Sequence, residues 1–215
     1  MPVPTRHASP LPGLGLAVLL AASAPSQGCT TANYSSEVGL EYPPASSENL
    51  AAEREPPVLQ DPAVAVIVID ERRDRSKLGN NNNFFCEKIP SRTITTADSV
   101  PAWVKAALEM ELWLAGIWVA PDPEGAHWLV ARIKEVQVDA CSVYKAGVLL
   151  EVQLFSKGRP ILAHEYRGSG SAGDVPWVGA TADAYSLSLS LALRDAATLV
   201  VFDVRMLLRP STPSP

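Results

Sequence analysis

Apolar residues recur along this chain with two periods, and the change from one to the other marks out the elements. AVAVIVID, residues 63–70, is apolar at both parities, with Val64, Val66 and Val68 on one face and Ala65, Ile67 and Ile69 on the other. That pattern predicts a strand inside the sheet, covered on both sides. DERRDRSKLGNNNNFFCEKIP follows and predicts a solvated loop, with a second short strand at RTITT. A helix is predicted next: Asp98 or Ser99 caps it, Pro101 suits its first turn, and Trp103, Ala107, Met110 and Leu114 recur at helical spacing, with Lys105 and Glu109 as an exposed pair and Gly116 as the stop.

The remaining pattern alternates with period two. IWVAP is a strand, and HWLVARIKEVQVD is another whose phase changes: Leu129, Ala131 and Ile133 share one face, whereas Val136 and Val138 have the opposite parity. A bulge near Lys134 and Glu135 restores a common face. After a turn between Asp139 and Gly147, VLLEVQLF places Leu150, Val152 and Leu154 inward, and SKGRP is a hairpin signal into ILAHEYRGSG. SLSLSLAL, near the C-terminus, also alternates, yet the surrounding segment runs almost thirty residues without Gly or Pro. Length therefore selects one long helix, started by Thr181 and Asp183 and ended near Arg205 and Arg209. The expected fold is α+β, a mostly antiparallel sheet with two helices packed on one face.

Composition adds limits. With 215 residues, 47% hydrophobic and 19% charged, one folded domain is the expectation. The formal charge of -5 gives no clustered cation for a phosphate backbone, so no nucleic-acid partner is expected. Residues 30–62, dominated by Ser, Ala, Glu and Pro, lack the apolar surface to offset ordering entropy. They predict a linker, with at most one short strand at EVGLEY. The expected organisation is a signal segment (1–28), a lipid-anchored linker (29–62), one domain (63–209) and a C-terminal tail (210–215).

The N-terminus carries the strongest functional signal. Arg6 and His7 precede the apolar run Leu11–Ala22, too short for a permanent bilayer span but suited to a signal peptide. Cleavage after Ala22-Ser23-Ala24 would leave Pro25 first, a poor protease substrate. The alternative is cleavage between Gly28 and Cys29 with lipid on the Cys29 thiol, although Ser26 and Gln27 depart from the usual small and leucine-like residues. Cys86 and Cys141 then form an even pair in an oxidising compartment, either a disulfide or two separate buried thiols.

Catalytic motifs are weak. GSGSAG, residues 168–173, has the spacing of a dinucleotide loop, but Pro176 and Gly179 interrupt the helix start that pyrophosphate needs, so an exposed loop is expected. Asp70, Glu71 and Asp74 alternate with Arg72, Arg73 and Arg75, which points to charge neutralisation more than to acid–base work. His127 and His164 have no metal-ligand spacing, and no G-x-S-x-G elbow is present, so no metal or cofactor is expected.

Taken together, the signal ending at Cys29, the strand VAVIVIDERRDRSKLG with Asp70-x-Arg72 and Leu78-Gly79, the helix closing in LAGIWV and the final helix with Ala192-Leu193 and Asp203 resemble the YajG-like lipoproteins of Gram-negative bacteria. The resemblance implies an envelope lipoprotein and supplies no catalytic residue. The expected function is a non-enzymatic outer-membrane lipoprotein, its membrane contact made through Cys29 and its periplasmic domain binding an envelope protein by sheet-edge pairing or through Trp103, Trp113, Trp118 or Trp128. Thr30, in place of Asp after the lipidated position, fits outer-membrane sorting. The alternatives are an accessory lipoprotein of a transport or lipopolysaccharide-assembly complex, and a soluble periplasmic hydrolase using Asp70, Glu71 or Asp74.

Overall fold

The structure, a computed structural model, describes residues 36–42, 63–82, 88–121, 127–140, 143–174 and 181–208. Its strands are β1 (Ser36–Glu37), β2 (Ala63–Asp70), β3 (Lys77–Asn82), β4 (Lys88–Thr95), β5 (Trp118–Val119), β6 (His127–Ala140), β7 (Val143–Ser156) and β8 (Arg159–Asp174). Its helices are α1 (Val100–Leu114) and α2 (Ala182–Leu208).

β6 organises the sheet. One edge pairs antiparallel with β7, which pairs with β8. Its other edge is shared: β2 runs parallel along His127–Ile133 and β3 parallel along Val138–Ala140. β5 and β4 extend these two arms, and β1 joins β4 in parallel. The fold is α+β, but the sheet is a curled, mixed half-barrel, and the expected antiparallel predominance does not hold. The cause is α1, which carries the chain back across the core so that β5 and β6 enter in the direction of β2.

The register of β6 shifts between Ile133 and Glu135, where the change of phase predicts a bulge, and Leu129, Ala131, Ile133, Val136, Val138 and Ala140 are all buried. Lys157 and Gly158, at φ 50° and 74°, form the two-residue turn from β7 to β8. Ser99 caps α1 by accepting a hydrogen bond from the Ala102 amide at 3.3 Å, and Gly116, at φ 82°, follows the helix end. The buried face of α1 is Trp103, Val104, Ala107, Leu108 and Leu112; Met110 and Leu114 lie at its flank.

Three further expectations change. The segment after Asp70 is not all loop: β3 lies within it and Leu78 is buried. β2 does sit between β5 and β6, but on its second face only Ala65 is buried, and Ile67 and Ile69 are exposed. The domain, expected to begin near Ala63, already includes Val38, buried in the same core.

GSGSAG is not a loop but the end of β8, and its glycines let a helix backbone rest on a strand backbone. A Cβ at Gly168 would stand 2.0 Å from the Ala192 carbonyl oxygen, and one at Gly170 would stand 2.2 Å from that of Ser188. Only glycine fits such an approach. Gly168→Ala is therefore expected to lower unfolding free energy by about 3 kcal/mol, read from urea unfolding. Gly147→Ala, whose Cβ would meet nothing closer than 3.7 Å, should stay within about 1 kcal/mol of the parent. Equal effects at the two positions would contradict direct helix-on-strand contact.

Candidate functional site

Cys29, Cys86 and Cys141 lie outside the described residues, as do the signal segment and the C-terminal tail. The other candidate residues can be placed, and most serve the fold. At the corner leaving β2, Asp70 receives the Arg72 side chain at 2.9 Å through both Nε and Nη2, and the Arg72 amide at 3.1 Å. Arg72 also donates to the carbonyls of Arg75 and Lys77, closing the turn into β3. The pair is buried, with side-chain exposures of 6% and 4% for Arg72 and Asp70, so it cannot be traded for water contacts. Burial pushes the Asp70 carboxyl up, but the Arg72 hydrogen bonds and the charges of Arg72 and Arg75 outweigh it and hold the pKa below the ordinary carboxylate value.

The other two acidic candidates are also engaged. Glu71 lies on the outer sheet face, 2.7 Å from Lys134 and 3.0 Å from Arg132, and those hydrogen bonds hold its pKa down. Lys134 bridges to Glu151 at 2.7 Å, and its pKa is raised by the hydrogen bonds it donates to Glu151 and Glu71. Asp74 accepts from Ser76 Oγ and the Lys77 amide. The three carboxylates thus serve three different structural roles. Among the described residues no group of three His, Cys, Asp or Glu side chains could hold a metal ion.

What the fold does assemble is a strap between its helices. Val38 donates to the Thr95 carbonyl at 2.9 Å, and the Leu40 amide donates to Asp98 at 2.7 Å. The Glu41 carbonyl accepts from Trp103 Nε1 of α1 and from Ser190 Oγ of α2, and the Tyr42 hydroxyl donates to Glu111 at 2.6 Å. Burial and the Glu111 bond push the Tyr42 pKa well above its ordinary value. Beside the strap, Gly39, Glu41, Asp183, Ser186, Leu187 and Ser190 line an open cavity of about 350 Å³. Deeper in, Tyr144 and Tyr185 meet edge to face at 5.1 Å, and burial pushes the Tyr185 hydroxyl up to about 12.

The surface carries more apolar area than the charge pattern suggests. Of the four tryptophans singled out by sequence, Trp103 is core and Trp113 half-buried, while Trp118 and Trp128 are exposed on the outer sheet face with Ile67 and Ile69. On α2, Leu187, Leu191, Leu199, Phe202 and Met206 are exposed, with Phe202 at 64%. Sequence reasoning missed this stripe, and it gave the strap segment, EVGLEY, as a short strand within a linker without its contacts to the helices. A signal for the stripe existed: SLSLSLAL, wound as a helix, spreads leucine round more than the one face a core can cover.

No family model matches the chain, and no curated protein matches it. Solved structures similar to it include a protein of Xanthomonas campestris assigned to DUF330, with 13% identity over 78% of this chain and 89% of that one and a TM-score of 0.48. A hypothetical protein of Chlamydia trachomatis is 13% identical over 68% of this chain and 97% of its own, with a TM-score of 0.45. A minor lipoprotein of Acinetobacter baumannii is 11% identical over 71% and 97%, with a TM-score of 0.41.

The Asp70–Arg72 pair generates a prediction with a definite sign. The folded-state pKa of Asp70 is depressed, so its stabilisation is complete above the unfolded value, about 4, and is lost as pH falls through the folded value. Asp70→Asn should cost about 3 kcal/mol at neutral pH, with Arg72 left buried without its counter-charge, and should flatten the acid limb of a stability–pH curve measured by urea unfolding. An unchanged acid limb would show that the pair contributes nothing to folding.

Proposed function

We propose that this chain is a bacterial envelope lipoprotein, held by lipid on Cys29 in the periplasmic leaflet of the outer membrane, whose domain works by binding another protein. The observation that carries the reading is the junction at Gly28-Cys29: an apolar run of signal length lies before it, and a folded core begins soon after it, at Val38. Outer-membrane placement draws support from Thr30 next to the anchor. A binding role draws support from two exposed apolar faces on one small domain, since contiguous apolar surface of this kind marks interaction sites. The engagement of Asp70, Glu71 and Asp74 in ion pairs and a turn favours binding over hydrolysis.

The test is intact-mass analysis of the membrane fraction from the native host. The expected mature chain begins at Cys29 and carries a diacylglyceryl group and an N-acyl group, and Cys29→Ala abolishes both the added mass and membrane retention. An unmodified chain beginning at Pro25 and recovered from the soluble fraction would overturn the reading.

A further inference from the structure

Cys86 and Cys141 are 55 residues apart in the chain, yet the strands that lead to them end at the same place. The register of β3 on β6 is parallel, with Gly79 opposite Val138, Asn80 opposite Asp139 and Asn81 opposite Ala140. Both strands therefore stop at one end of the sheet, and Ala140, the last residue of β6, is followed by Cys141. On its other side β3 pairs antiparallel with β4, where Asn82 faces Lys88, and Cys86 belongs to the connection between them, residues 83–87. Ala140 and Lys88 thus flank the last two residues of β3, two strand spacings or about 10 Å apart. Cys141 is one residue beyond the first and Cys86 two residues before the second, steps of about 4 Å and at most about 7 Å. A disulfide needs Cα atoms about 4–7 Å apart, a separation that those steps reach.

The same end of the sheet has the thinnest pairing. β3 reads KLGNNN, and asparagine and glycine are poor strand formers. It holds β6 through three residue pairs, and its pairing with β4 is broken by register shifts between Lys77 and Gly79 and between Asn80 and Asn82. One close contact works the other way: a Cβ at Gly79 would stand 1.9 Å from the Val138 carbonyl oxygen, so the β3 backbone lies directly against β6. β4 in turn carries β1 and the start of the strap, so the hold of β3 on β6 is felt as far as Ser36 and Glu37. A covalent tie beyond Asn82 secures the end of a strand that propensity alone leaves weak.

We propose that Cys86 and Cys141 form an intramolecular disulfide that ties the β3–β4 connection to the end of β6. The bridge goes beyond the binding role, and it rests on the envelope reading only for its oxidant, a disulfide-bearing exchange protein of that compartment. The thiolate of one cysteine attacks the carrier's disulfide and forms a mixed disulfide, which the thiolate of the other then displaces. Two protein thiols give up two protons and two electrons, and the carrier leaves as a dithiol. With lipid on Cys29, no third thiol competes for either partner. Because the bridge closes a long loop, it restricts the unfolded chain more than a short-range bridge would.

The test uses the full chain with Cys29→Ala, whose two remaining cysteines are Cys86 and Cys141. The purified protein is reduced and equilibrated with mixtures of reduced and oxidised glutathione, once folded and once in concentrated urea, and free thiols are counted by maleimide labelling and intact mass. The equilibrium constant for bridging is expected to be about a hundredfold larger in the folded chain. Trypsin should then release residues 78–88 joined to residues 135–145. Reduction should lower the urea midpoint by about 1 M, and should leave unmoved a chain that also carries Cys86→Ser and Cys141→Ser. Equal bridging in the folded and unfolded chains would overturn the proposal, as would a bridge found only between two chains or glutathione retained on both cysteines of the folded monomer. The oxidant is supplied in the tube, so the outcome is independent of the mass analysis: the bridge can form in a chain whose Cys29 proves unmodified in the host, and can fail in one that is anchored.

Discussion

A single carbonyl, that of Glu41, takes a hydrogen bond from each of the two helices. It accepts from Trp103 on α1 and from Ser190 on α2, and both bonds are partly buried. Each helix has its own ground on the sheet, α1 over β2 and β5 and α2 over β7 and β8; the helices also meet directly, with Arg194 of α2 4.0 Å from Glu111 of α1, and the strap bonds to both. Val38 below it and Tyr42 beyond it hold the strap in register. The same contact sets where the domain begins. With the core starting at Val38, eight residues lie between it and Cys29, fewer than a linker ending at residue 62 would supply.

Much of the fold was legible because it was written in parity and length. The bulge at Lys134 and Glu135 follows from a change of phase that only an extra residue can correct, and α2 follows from a run too long for a strand. Strand direction was not legible: alternation says which face a residue takes and nothing about which way its neighbour runs, so the parallel pairing of β2 with β6 had no signature. β3 was hidden because asparagine and glycine have poor strand propensity, and its place is secured by partners on both sides, β4 and β6. Ile67 and Ile69 misled because a strand apolar on both faces can also be one whose second face is an interaction surface. The strap was hidden by its composition, since two anchoring residues, Val38 and Tyr42, lie in a stretch otherwise typical of linkers.

The motifs with the most chemical promise turned out to be devices of packing and charge. Glycines at 168 and 170 satisfy a nucleotide fingerprint by spacing, yet their lack of a Cβ is used to seat α2 on β8. Asp70 and Arg72 resemble an acid–base constellation by proximity, yet they neutralise one another at the corner where β2 hands its place along β6 to β3. What remains for function is surface: exposed apolar residues along α2 and an aromatic patch on the outer sheet face. Their separation across the sheet gives a small domain room for two different contacts at once.

The account stands on the claim that the domain starts at the strap, and amide hydrogen exchange of the mature chain measures this directly. The Val38 and Leu40 amides, bonded to the Thr95 carbonyl and the Asp98 carboxylate, should exchange as slowly as those of β6 and β7, opening only with global unfolding. Exchange of both at the rate of an unstructured peptide would return residues 36–42 to the linker and take Val38 out of the core.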